Sequence, residues 1–136
     1  MRLKQRGATL VEFALVLPLL FLILDGMISF SMVMYDKVIL TNAVREAVRA
    51  GSLIQNPKLS STQIADVARS YCATYLLSFG AAPVVSVVVT QAADPVFQMP
   101  VTVTASYTFQ SLLMGHFLTA MRTPLVLTST ATRWNE

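Results

Sequence analysis

The chain has 136 residues, of which 54% are hydrophobic and 12% are charged, against roughly 25% charged residues in soluble domains. Its formal charge of +3 comes from Arg2, Lys4 and Arg6, so the remainder is near neutral and has no basic patch typical of nucleic-acid binding. A single cysteine, Cys72, excludes an intramolecular disulfide, and this length fits one small domain beyond an apolar anchor.

The first element is an apolar run over residues 13–35, in which Asp25 is the only charged side chain. A helix of this length extends roughly 34 Å, against about 30 Å for the hydrocarbon core of a bilayer. The run can therefore span a membrane with some tilt. The basic residues before it favour a cytoplasmic amino terminus, and Pro18 is expected to bend the helix without ending it.

Small residues precede this run, whereas an ordinary secretory signal places them after its apolar core. Gly7 and Ala8 end the basic segment, and Glu12 is the fifth residue counted from Ala8. A cut between Gly7 and Ala8 would remove only the basic leader, residues 1–7. The apolar helix would then become the mature amino terminus.

This pattern resembles the processing site of type IV prepilins, and residues 6–20 resemble more narrowly the TadE-like minor pseudopilins of tight-adherence (Tad) pilus systems. Residues 41–51 are similar to the pattern at the end of that family's first helix. The resemblance implies a substrate of a prepilin peptidase that joins the initiation or tip complex of the pilus. It also implies the bacterial inner membrane, other pilins or pseudopilins and the Tad assembly machinery as partners.

Two carboxylates interrupt the apolar helix, where a charge costs about 2.5 to 3.5 kcal/mol at the centre on insertion scales. The resemblance implies that Glu12 meets the amine of Ala8 in a neighbouring subunit. Alternatively, Glu12 is solvated among the lipid headgroups near the positive end of the helix dipole. Asp25 either contacts a partner helix inside the membrane or lies near the external interface, about 26 Å along the helix from Ala8.

Beyond residue 35 the helix is predicted to continue to about residue 50 as a stalk. Its apolar positions recur at helical spacing, while Arg45, Glu46 and Arg49 are expected to form a solvated face. Gly51 is predicted to follow the helix cap. The helix would thus occupy residues 8–51, followed by a small extracytoplasmic domain over residues 52–136.

That domain is predicted to be α+β, with a second amphipathic helix and a small three-stranded antiparallel sheet. The helix should begin at a capping box formed by Ser60 and Gln63 and end at Gly80. Cys72 lies in its apolar stripe and is expected to be an inert thiol. The predicted strands cover residues 84–90, 101–109 and 125–133, with a turn at 92–95 and either a short helix or a loop at 111–122.

The sequence offers no group of residues suited to catalysis, so an enzyme is not expected. His116 is the only histidine and is expected at a loop or surface, and neither a metal, a cofactor nor a small-molecule substrate is predicted. An alternative function is an unprocessed, single-pass, membrane-anchored binding module. An open sheet edge and a threonine-rich sheet face support this alternative.

Overall fold

A computed structural model describes residues 3–53, 57–78, 83–91, 99–109 and 125–135. Its elements in chain order are α1 (Leu3–Ser52), α2 (Ser61–Tyr75), β1 (Val85–Thr90), β2 (Pro100–Phe109) and β3 (Leu125–Trp134). The predicted α+β arrangement is confirmed. The turn predicted at residues 92–95 and the helix or loop predicted at 111–122, with His116, lie outside the described residues.

Helix α1 is a single element of 50 residues that continues through Pro18. The prediction that it starts at Ala8 was wrong, because the helix already includes Leu3. Lys4, Gln5 and Arg6 are good helix formers, and neither Gly7 nor Ala8 offers the side-chain oxygen that usually caps a helix start.

The other end of α1 also differs from the prediction. Gly51 lies inside the helix, one residue before its end at Ser52, and does not follow the cap. A Cβ atom at Gly51 would lie 2.7 Å from Cδ1 of Ile64 and 3.3 Å from Cγ1 of Val101. The glycine therefore allows α1 to approach α2 and β2 closely. The Ser52 hydroxyl donates a hydrogen bond of 3.0 Å to the Arg49 carbonyl.

Helix α2 begins at the predicted capping box. The Gln63 N–H donates to Oγ of Ser60 at 3.3 Å, and the Ser60 N–H donates to Oε1 of Gln63 at 2.8 Å. The prediction that α2 reaches Gly80 was wrong, because the helix ends at Tyr75 and Leu76 is extended. The Leu77 N–H donates to the carboxylate of Asp36 on α1, so the chain leaves the helix there to meet α1.

The sheet is antiparallel with β2 in the centre, in the order β1-β2-β3. One face of β2 is buried, as the alternation of its residues predicted, and consists of Val101, Val103, Ala105, Tyr107 and Phe109. The opposite face carries hydroxyl groups. Thr102 and Thr132 lie opposite each other with their Oγ1 atoms 2.9 Å apart, and the Thr104–Thr130 pair is joined at 3.0 Å.

The core lies between this sheet and the two helices. Helix α1 packs on β2, β3 and α2, while α2 also packs on β1. The buried contribution of α1 consists of Ile39, Leu40, Ala43, Val44, Ala47 and Val48. The helix that carries the apolar run is therefore also a main component of the packed domain.

Candidate functional site

The predicted processing site lies near the start of α1. Gly7 is exposed, and a Cβ atom added to it would meet nothing within 4 Å. Ala8 follows in the same helix. Gly7 is therefore open to contact from outside the subunit.

Glu12 lies one turn after Ala8. It is exposed, and residues four apart share one face of a helix, so Glu12 and Ala8 lie on the same side of α1. Within the described part of the chain, Glu12 forms no ion pair. The carboxylate is thus accessible to a group from outside the subunit.

From residue 10 to residue 31 the surface of α1 is mostly apolar and largely exposed. Its most apolar window of 18 residues has no buried member, and α1 is long and apolar enough to cross a membrane. Large exposed side chains on it include Leu10, Phe13, Leu15, Phe21, Leu22, Met27 and Phe30. A water-soluble protein rarely exposes such a continuous surface, so this helix is suited to single-pass membrane anchoring.

Asp25 interrupts this surface without a partner among the described residues. It is half-buried, as is Ser29 one turn further on. Thirteen residues separate Asp25 from Glu12, which corresponds to about 20 Å along the helix. The structure therefore does not bring the two predicted carboxylates together, and each needs a separate environment.

A third acidic residue of α1, Asp36, was not singled out from the sequence. Its side chain is fully buried, and its Oδ1 accepts the Leu77 N–H at 3.1 Å. Its Oδ2 has no hydrogen-bond partner within the described portion of the chain. Burial, and secondarily the negative charge of Asp36, raise the pKa of the Tyr107 phenol.

The spacing along α1 was the signal that could have revealed Asp36. It lies three, four and seven residues before Ile39, Leu40 and Ala43, which are all buried. These are the intervals of one helix face. A carboxylate at such a position is expected to point into the core.

Two further contacts hold α1 to the edge strand β3. The ammonium group of Lys37 donates to the Thr128 carbonyl. The Ser129 hydroxyl donates to Oγ1 of Thr41 at 3.2 Å, and Thr41 in turn donates to the Lys37 carbonyl at 2.8 Å. These contacts place Lys37 and Thr41 of α1 against β3, the strand at one edge of the sheet.

The chemistry of Cys72 fits a structural residue. The thiol is buried, and burial raises its pKa to about 11. It is therefore protonated at neutral pH, and the protonated form is a poor nucleophile. Across the described ranges, no group of three or more metal-binding side chains comes together.

Residues 7–49 match the model of a family described as TadE-like protein. No match was found among curated proteins or among solved structures. The matched region contains Gly7, Ala8, Glu12 and Asp25 and ends in the part of α1 that packs on the sheet. The resemblance noted in the sequence is thus confirmed over residues 7–49, where the chain is similar to TadE-like proteins.

Proposed function

We propose that this protein is a minor pseudopilin of a tight-adherence pilus. A prepilin peptidase cuts it between Gly7 and Ala8, and it then takes part in the initiation or tip complex through α1. The observation that carries the proposal is the continuity of α1. One helix matches the TadE-like family, exposes an apolar first half and supplies core residues with its second half.

This continuity suits a subunit that moves from a membrane into a helical bundle. The exposed apolar surface can contact lipid first and neighbouring helices later, since both surroundings are apolar. Because α1 is uninterrupted from the apolar run into the core, the external domain keeps its position relative to the packing helix. The basic leader supports an inner-membrane orientation with a cytoplasmic amino terminus and a periplasmic domain.

Processing supplies the partner that Glu12 needs. Cleavage creates a positively charged amine on Ala8, one turn before Glu12 on the same face of the helix. In an assembly, the amine of one subunit can lie beside Glu12 of the next, and the pair would offset the cost of placing either charge in an apolar bundle. The leader would hinder this contact in the unprocessed chain.

The intact mass and amino-terminal residue of the protein from its native membrane test the first step. We expect a chain that begins at Ala8. A Gly7→Leu variant should remain uncut while folding normally, because a side chain at this position meets no other group. A wild-type chain that still begins at Met1 would refute processing.

A Glu12→Gln variant tests the second step. It should be processed like the wild type, but the yield of assembled pili on cells should fall about tenfold or more, because the amide cannot neutralise the amine. The matched control is Asp66→Asn, which removes a carboxylate from an exposed ion pair with Arg69 and should leave assembly unchanged. Equal pilus yields from Glu12→Gln and the wild type would contradict the assembly role of Glu12.

The alternative is an anchored binding module that is never processed. It is favoured by the hydroxyl-rich outer face of the sheet, where paired threonines of β2 and β3 lie side by side. An uncut amino terminus together with full function of the Glu12→Gln variant would favour this alternative over the pseudopilin.

A further inference from the structure

A groove of about 580 Å³ runs beside the distal part of α1. The exposed ridge of α1 contributes Asn42, Arg45, Glu46 and Arg49 to it, and Tyr71 and Arg133 contribute from α2 and β3. Its size is within the range of about 300 to 1,000 Å³ seen for ligand sites. The groove is therefore large enough for several side chains of a partner.

The charge of the groove is positive. Among the described residues that line it, three are arginines and one, Glu46, is acidic. Neither Arg45 nor Arg49 forms an ion pair with a described residue, whereas Arg69 on α2 is paired with Asp66 at 3.0 Å. Two guanidinium groups one turn apart on an exposed face therefore remain available, and their fork of donors fits carboxylates in particular.

The position of the groove argues against a lipid headgroup as its ligand. Arg45 and Arg49 lie 10 and 14 residues beyond Tyr35, or about 15 and 21 Å further along α1. The headgroup layer extends only about 5 to 8 Å beyond the hydrocarbon core on each side. For a helix that crosses the membrane steeply, the groove lies outside this layer.

The uncharged lining favours a peptide over a small inorganic anion. The ring of Tyr71 and the side chain of Ala131 form apolar surface between the charges, and the Asn42 amide can bond to a peptide backbone. We propose that this groove binds an acidic peptide segment of another protein, with carboxylates held by Arg45 and Arg49. This binding requires neither processing at Gly7 nor assembly through Glu12, so it can be tested separately from them.

The test uses the full chain in nanodiscs of zwitterionic lipid and a fluorescent, end-blocked hexaglutamate peptide as the probe. Fluorescence anisotropy measures the dissociation constant. Arg45→Gln and Arg49→Gln should each weaken binding about tenfold, because each removes a charge-assisted contact. The matched control, Arg69→Gln, removes the same charge from an exposed position on α2 and should change binding less than twofold. Equal weakening by all three variants would overturn the proposal in favour of non-specific attraction.

Glu46→Gln provides a test in the opposite direction, because it removes the one acidic side chain among the described residues of the groove. It should tighten binding about threefold, and weaker binding would contradict the proposal. Stronger displacement of the peptide by inorganic phosphate than by chloride at equal ionic strength would replace the peptide site with a general anion site. Failure of hexaglutamate to bind, with Arg45-dependent binding to added anionic vesicles, would assign the groove to a lipid surface.

Discussion

Among single residues, Asp36 of α1 links the apolar helix to the external domain through a hydrogen bond from the Leu77 N–H. One carboxylate oxygen accepts the N–H that follows the end of α2, while the other is buried without a partner in the described part of the chain. A hydrogen bond to a charged group contributes about 1.5 to 3 kcal/mol. Burying a charged carboxylate whose second oxygen has no partner costs on the order of several kcal/mol. Asp36 therefore fixes where α2 ends but lowers the stability of the fold.

We predict that Asp36→Asn raises the free energy of unfolding by about 1 kcal/mol or more, because the amide oxygen still accepts from Leu77 and the buried charge is gone. Asp36→Ala should be less stable than Asp36→Asn, since it leaves the Leu77 N–H without an acceptor. Denaturant unfolding followed by the fluorescence of Trp134 measures both. A loss of stability in Asp36→Asn would contradict the view that the buried charge destabilises the fold.

At the scale of elements, the beginning of α2 and the strand faces follow from local rules, whereas the helix ends follow from tertiary contacts. The capping box at Ser60 is complete within four residues, and the alternation in β2 needs only its own sequence, so both were predictable. The end of α2 depends on Asp36, which lies 41 residues from Leu77. The place of Gly51 depends on side chains of two other elements.

Gly51 tests how closely α1 must approach its neighbours. Gly51→Val should lower the free energy of unfolding by about 1 to 3 kcal/mol, because its side chain would overlap those of Ile64 and Val101. Gly26→Val is the matched control in the same helix, where an added Cβ meets nothing within 4 Å. Similar unfolding midpoints for these two variants would show that the contact at Gly51 relaxes without cost.

At the scale of the whole molecule, the sequence pattern predicted an apolar helix, a second helix and a three-stranded sheet. It did not predict how they share a core. Hydropathy distinguishes the apolar run of α1 from its amphipathic continuation, but periodicity does not say which elements the continuation meets. The sequence of one helix was enough to predict Gly7, Ala8, Glu12 and Asp25 as site residues, and their roles stay predictions. The groove beside Arg45 was not, because α2 and β3 complete it.

The buried residues of α1 make the domain dependent on this helix. Ile39, Leu40, Val44 and Val48 are buried, and burying such side chains contributes about 1.5 to 3 kcal/mol each. Together they supply about 6 to 12 kcal/mol, which is comparable to the entire stability of a typical domain, about 5 to 15 kcal/mol. A domain without this part of α1 would therefore lose most or all of its margin of stability.

We accordingly predict that a chain of residues 31–136, which lacks most of the apolar run but keeps Met32 and Val33 against the core, is soluble and melts cooperatively. A chain of residues 53–136 should show neither a cooperative transition in circular dichroism nor dispersed amide signals in proton NMR. Cooperative melting of the shorter chain would mean that α2 and the sheet fold alone and that α1 only docks on them. In that case α1 could separate from the domain during assembly. If α1 and the domain share a core, they must instead move as one body.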